Sequence, residues 1–76
     1  MLSWIHAIDR RGGELCWAET PAGRYVIADR PQEGLWRSWF EPVGQPPVSL
    51  GDHTTHRAAI ARCDDQAAAE GTAREN

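Results

Sequence analysis

The chain has 76 residues, 41% of them hydrophobic and 25% charged, and its 11 acidic and 8 basic residues leave a formal net charge of −3. This length holds one compact domain and excludes two, and the balance of apolar and charged residues excludes wholesale disorder. The negative charge is the wrong sign for a protein that lives on nucleic-acid backbones, and no apolar run approaches the roughly 20 residues needed to cross a bilayer.

Four short runs of strand character, separated by turn signals, lead to one helical stretch. Leu2 to Ile8 comes first and is closed by Asp9-Arg10-Arg11-Gly12-Gly13. The opening MLSWIHAIDR has neither a basic n-region nor a long apolar h-region, so no export leader is expected and the location predicted is cytoplasmic. The second run, Glu14 to Thr20, meets Pro21-Ala22-Gly23, where Pro suits the first corner of a type I turn and Gly the left-handed residue after it. Arg24 to Asp29 is the third run and Leu35 to Val43 the fourth, with Arg30-Pro31-Gln32-Glu33-Gly34 between them. Gly44-Gln45-Pro46-Pro47 is expected to end the sheet, because consecutive prolines donate nothing to a ladder.

Beyond Leu50-Gly51 the hydrophobic period changes, and Thr55 is the preferred cap of a helix running to about Glu70. Along it His56, Ala59, Ile60, Cys63 and Ala67 recur at three- and four-residue steps, a narrow stripe of small residues suited to close packing on a sheet. The predicted fold is α+β: a four-stranded antiparallel meander packed on one C-terminal helix. It forms a single domain over residues 1–70, followed by a disordered tail at 71–76.

Turn geometry predicts which residues share a face, since register fixes parity. A three-residue loop at Pro21 to Gly23 sets Thr20 opposite Arg24 and Trp17 opposite Ile27. A similar loop at Arg10 to Gly12 sets Ile5 opposite Trp17, and a four-residue loop at Pro31 to Gly34 sets Phe40 opposite Tyr25. One face then holds Ile5, Ala7, Leu15, Trp17, Tyr25, Ile27, Trp36 and Phe40 and is assigned to the helix. The other holds Leu2, Trp4, His6, Ile8, Cys16, Ala18, Val26, Ala28, Leu35 and Trp39, with Arg24, Arg37, Glu14 and Glu41.

One helix covers one side of such a sheet, so the second apolar side is left to a partner. Four Trp in so short a chain sharpen the point, because Trp and Arg anchor interfaces. The expected contact patch is Trp4, His6, Arg24, Arg37 and Trp39, with a different macromolecule or a second copy of the chain as its occupant.

The chemistry that catalysis or metal binding needs is not legible. His53 and His56, with His6 and the cysteines, match no zinc spacing, and Cys16 and Cys63 form no CxxC pair, so no metal, cofactor or catalytic residue is expected. Cys16 in mid-strand and Cys63 on the helix stripe suit small apolar fillers in a reduced compartment. Base stacking on Trp4 and Trp39 is the nucleic-acid alternative, opposed by the net charge and the lack of any RNP-type motif. Carboxylates at Glu14, Glu19, Asp29, Glu33, Glu41, Asp64 and Asp65 offer a further route, negative charge presented to an Arg-lined groove on another protein.

Trp17-Ala18-Glu19-Thr20, Tyr25-Val26-Ile27, Gly34-Leu35-Trp36-Arg37-Ser38-Trp39-Phe40, and Leu50-Gly51 leading through Thr54-Thr55 to Ala59 and Cys63 carry a resemblance. Over residues 14 to 65 the pattern resembles small bacteriophage and mobile-element proteins built as a β-meander and one helix, departing from it at His56, where a large aliphatic residue is expected. An all-arginine basic set and abundant Ala fit a GC-rich bacterial or phage genome. The resemblance implies a non-enzymatic inhibitor that binds a protein, in particular an anti-CRISPR protein occluding a CRISPR effector in the bacterial cytoplasm. The alternatives are a nucleic-acid-binding accessory protein and a homodimeric structural protein.

Overall fold

The computed structural model describes residues 2–8, 13–30 and 32–75, and side chains as far as residue 69. Five antiparallel strands form one sheet in chain order: β1 (Ile5–Ile8), β2 (Glu14–Thr20), β3 (Gly23–Arg30), β4 (Leu35–Pro42) and β5 (Val48–His53). The helix α1 (His56–Glu75) packs on β3, β4 and β5. The α+β class, the antiparallel meander and the single C-terminal helix are as the sequence predicts, but the sheet has five strands where four were expected.

A fifth strand follows because Pro46-Pro47 does not end the sheet. The two prolines lie in the connection from β4, and the chain then returns along β4 with Trp36 opposite His53, Arg37 opposite Asp52 and Ser38 opposite Gly51. A bulge follows, so that Ser49 faces Trp39 and Leu50 is the extra residue. The interrupted alternation hides the strand in the sequence, yet the bulge turns Leu50 inward, where it is 9% exposed within the core.

That core lies between the sheet and α1. Cys16, Tyr25, Ile27, Phe40 and Leu50 rise from the strands to meet Ala59 and Cys63, both fully buried on the helix. Small helix residues let the backbone of α1 come close to the sheet, and the space on the sheet side is filled by rings, with Tyr25 and Phe40 4.5 Å apart at their centroids. Thr55 caps the helix as expected, its Oγ1 accepting from the Ala58 N–H at 3.1 Å. α1 continues to Glu75, past the expected end near Glu70. Ahead of β1, the Leu2 N–H donates to Asp64 Oδ1 at 3.2 Å, tying the N-terminal segment to the helix and setting Leu2 and Trp4 against the core.

Two of the three expected registers are present: Ile5 pairs with Trp17, and Phe40 with Tyr25. The loop predicted at 10–12 lies outside the described residues, as does Pro31. The β2–β3 register is shifted by one: Thr20 pairs with Gly23, Glu19 with Arg24 and Trp17 with Val26. Gly23 is therefore the first residue of β3, where a loop residue was expected, and it is bonded into a ladder between Thr20 and Pro42. Thr20 Oγ1 reinforces the corner by donating to the Gly23 carbonyl at 3.0 Å. Since side chains alternate along a strand, this single shift exchanges the faces of β1 and β2 relative to β3 and β4.

Candidate interaction face

On the side away from α1 the registers build rows across the strands. The central row runs Ile5, Trp17, Val26, Trp39, Ser49. One row further along lie Ala7, Leu15, Ala28, Arg37 and Asp52, and on the opposite flank Glu19, Arg24 and Glu41. Val26 is only 6% exposed although no element among the described residues covers this face, because its neighbours in the sheet shade it. Trp17 and Trp39, on the strands to either side, are themselves part-exposed. Trp39 is oriented by its own strand, its Nε1–H donating to Glu41 Oε2 at 3.2 Å.

Arg24 and Arg37 on this face are each held by carboxylates on two sides, and a third arginine, Arg30, lies exposed at the end of β3 opposite Leu35. Arg24 sits 3.7 Å from Glu19 and 4.0 Å from Glu41. Arg37 lies 3.1 Å from Asp52 and 3.5 Å from Glu33 in the preceding turn. All of these side chains are substantially exposed, so the pairs orient the rim and add little stability.

Of the expected contact patch, the structure brings Arg24, Arg37 and Trp39 together on the open face. Trp4 and His6 belong to the helix side, which corrects their predicted place. Trp4 packs against the core edge with its Nε1–H buried and without a partner among the described residues. The ring of His6 meets that of His56 edge-on at 6.1 Å, and its Nδ1 is 3.4 Å from Glu14. Trp17 and Leu15, which the sequence assigned to the helix, take their place beside Trp39. Gly23 marks the shift in the folded sheet, where a Cβ would meet the β4 backbone at Glu41 and Pro42.

The helix side gathers most of the residues that catalysis would draw on. Cys16 Sγ is 3.2 Å from His56 Nε2, and the His56 ring also lies on Trp36 with centroids 4.7 Å apart. This is no activated thiol: desolvation, with the Glu14 charge second, pushes the Cys16 pKa up to about 11. Ser38, fully buried, sits 3.0 Å from His53 Nε2 and donates its own proton to the Gly51 carbonyl at 3.2 Å. Ser38 Oγ is shared between His53 and the Gly51 carbonyl and, being fully buried, is closed to any substrate. Among the described residues no three His, Cys, Asp or Glu side chains are grouped to hold a metal ion.

Burial raises Cys63 as well, to about 12, with the Asp64 charge adding to it. Both thiols thus keep protons that the unfolded chain releases from its ordinary value of 9.0. The native state binds more protons above that point, so stability present below pH 9 is lost as pH rises towards 11 and 12. Urea midpoints should hold level to about pH 9 and then fall, and a double Cys16→Ala, Cys63→Ala variant should show a shallower fall. The chain contains no lysine, and Tyr25, which also ionises in alkali, is common to both proteins, so the difference between them isolates the thiols.

No family model, curated protein or solved structure matches the chain. No helix among the described residues is long and apolar enough to cross a membrane.

Proposed function

We propose that the chain is a non-enzymatic protein-binding module that seats a protein partner on the open face of its sheet. The observation that carries this reading is the Trp17–Val26–Trp39 row, two indoles and an aliphatic side chain on a face that α1 leaves uncovered. Large aromatic side chains presented together in this way are the anchors around which interfaces form. The complete burial of Ser38 and of Cys16, whose thiol that burial pushes up to about 11, supports the non-enzymatic part. In its most specific form the reading is an inhibitor from a phage or mobile element, an anti-CRISPR protein that occludes a CRISPR effector. That form is supported by the resemblance of the sheet and helix residues.

The test is affinity capture with the immobilised chain from a bacterial lysate supplemented with purified CRISPR effectors, run beside Trp17→Ala, Trp39→Ala and the exposed helix control Arg57→Ala. The expected result is a protein retained stoichiometrically by the wild type and the control and lost from both Trp variants. The reading is overturned if nothing captured depends on the two indoles, if the face is occupied by a second copy in solution, or if it retains oligonucleotides instead.

A further inference from the structure

We infer that β1 is a dimerisation edge, along which a second copy of this chain lays its own β1 antiparallel and joins the two sheets into one. An open sheet ends in two edge strands with unused backbone donors and acceptors, here β1 and β5. The two edges are built differently. β5 follows Pro46-Pro47, carries the bulge at Leu50, bears the exposed Asp52, and has its Gly51 N–H taken by Ser49 Oγ at 3.2 Å. Prolines, bulges and charges of this kind keep another strand off an edge. β1 has none of them. Its register with β2 is unbroken from Ile5 to Ile8, it contains no proline or formally charged residue, and α1, which packs on β3, β4 and β5, leaves it bare. Ile5 and Ile8 stand 50% and 69% exposed there.

The sequence of this edge matches a second copy of itself. Two antiparallel strands related by a two-fold axis meet about one residue, and positions equally far from it oppose each other on the same face. Centred on His6, the pairing sets Ile5 opposite the copy's Ala7 and brings Ile8 to the copy's Trp4, which packs with Leu2 at the edge of the core. Every apolar residue of β1 then meets an apolar residue. Centred on Ala7, the same strands would set Ile5 against Asp9. One register is therefore self-complementary and its neighbour is not.

The axis of such a pair stands perpendicular to the sheet, so both helices lie on one side and both indole rows on the other. The open face stays free in the dimer, and the inference goes beyond the protein-binding reading without occupying its surface. A four-residue edge supplies about two to four backbone hydrogen bonds across the axis. An interface this short falls below the roughly 1,200 Å² of a standard one, so the dimer is reversible, with a dissociation constant of micromolar order or weaker.

The experiment is sedimentation of the full chain over a series from micromolar to millimolar concentration, beside Ile5→Lys, Ile8→Lys and, as the control on the other edge, Val48→Lys. All three positions are at least half exposed, so the monomer should stay folded in each. The wild type and Val48→Lys should pass from the monomer mass towards twice that value, with amide exchange in β1 slowing as concentration rises. Each β1 variant should need about tenfold more protein or above to reach the same point, because the symmetry places its lysine in the ladder twice. A wild type that stays monomeric throughout would overturn the inference, as would a dimer indifferent to the β1 lysines or dissolved by Val48→Lys. Those results leave the protein-binding reading in place. A concentration-dependent shift of the Trp39 indole N–H would put the second copy on the open face and overturn both.

Discussion

Replacing Gly23 by Ala should destabilise the protein by about 3 kcal/mol or more, the sum of an overpacking cost and a strained backbone. Gly23 has φ +151°, and a Cβ there would overlap the Glu41 carbonyl oxygen and lie 2.8 Å from Pro42 Cα. Both obstacles are backbone atoms of the neighbouring strand, bonded into the sheet and unable to rotate aside as a side chain would. A domain this small is expected near the low end of the usual ~5–15 kcal/mol, so the loss is a large share of the total. The melting temperature should fall by about 12 °C or more. Gly34→Ala is the control: φ is +68°, but nothing lies within 4 Å of the added carbon, so only the milder backbone cost applies. If the two variants melt alike, Gly23 is a loop residue and the β2–β3 register is the one the sequence suggested.

The second large effect is on binding. Trp17→Ala and Trp39→Ala should each weaken the captured complex at least thirtyfold, since a central Trp typically carries about 2 kcal/mol or more of an interface. The chain should stay folded in both, because these side chains border the open face and the core cluster is built from other residues. Some stability should go with each indole, as Val26 loses its shading. Trp36→Ala should behave in the opposite way. Its ring lies on His56 at the start of α1 and packs against the core, so the cost should appear in the melting curve first. Circular dichroism melts and capture assays on the same samples separate the two patterns.

Much of the architecture was legible because it rests on local signals. Strand alternation, turn residues and the Thr55 cap announced three hairpins and a helix, and the small-residue stripe ending in Cys63 and Ala67 pointed to the buried side of α1. The fifth strand was illegible because a bulge at Leu50 breaks its alternation and two prolines precede it. The patch was half legible for one reason. Pro21-Ala22-Gly23 carries the residues of a three-residue loop, and what makes Gly23 a strand residue is the backbone of β4, far along the chain. Local turn chemistry cannot report a neighbour that only the folded sheet supplies. Strands β3 and β4 kept their predicted faces and with them Arg24, Arg37 and Trp39, whereas Trp4 and His6 changed places with Trp17 and Leu15.

Solvent exposure of the indole rings, read from the relaxation that a soluble paramagnetic agent induces in their resonances, tests the central claim most directly. Strong enhancement at Trp17 and Trp39, with the Trp4 N–H protected, is the result predicted for a sheet whose second aromatic face lies open. Protection of Trp17 together with strong enhancement at Trp4 would contradict it, returning Trp17 to the core and removing the surface on which the proposed function depends.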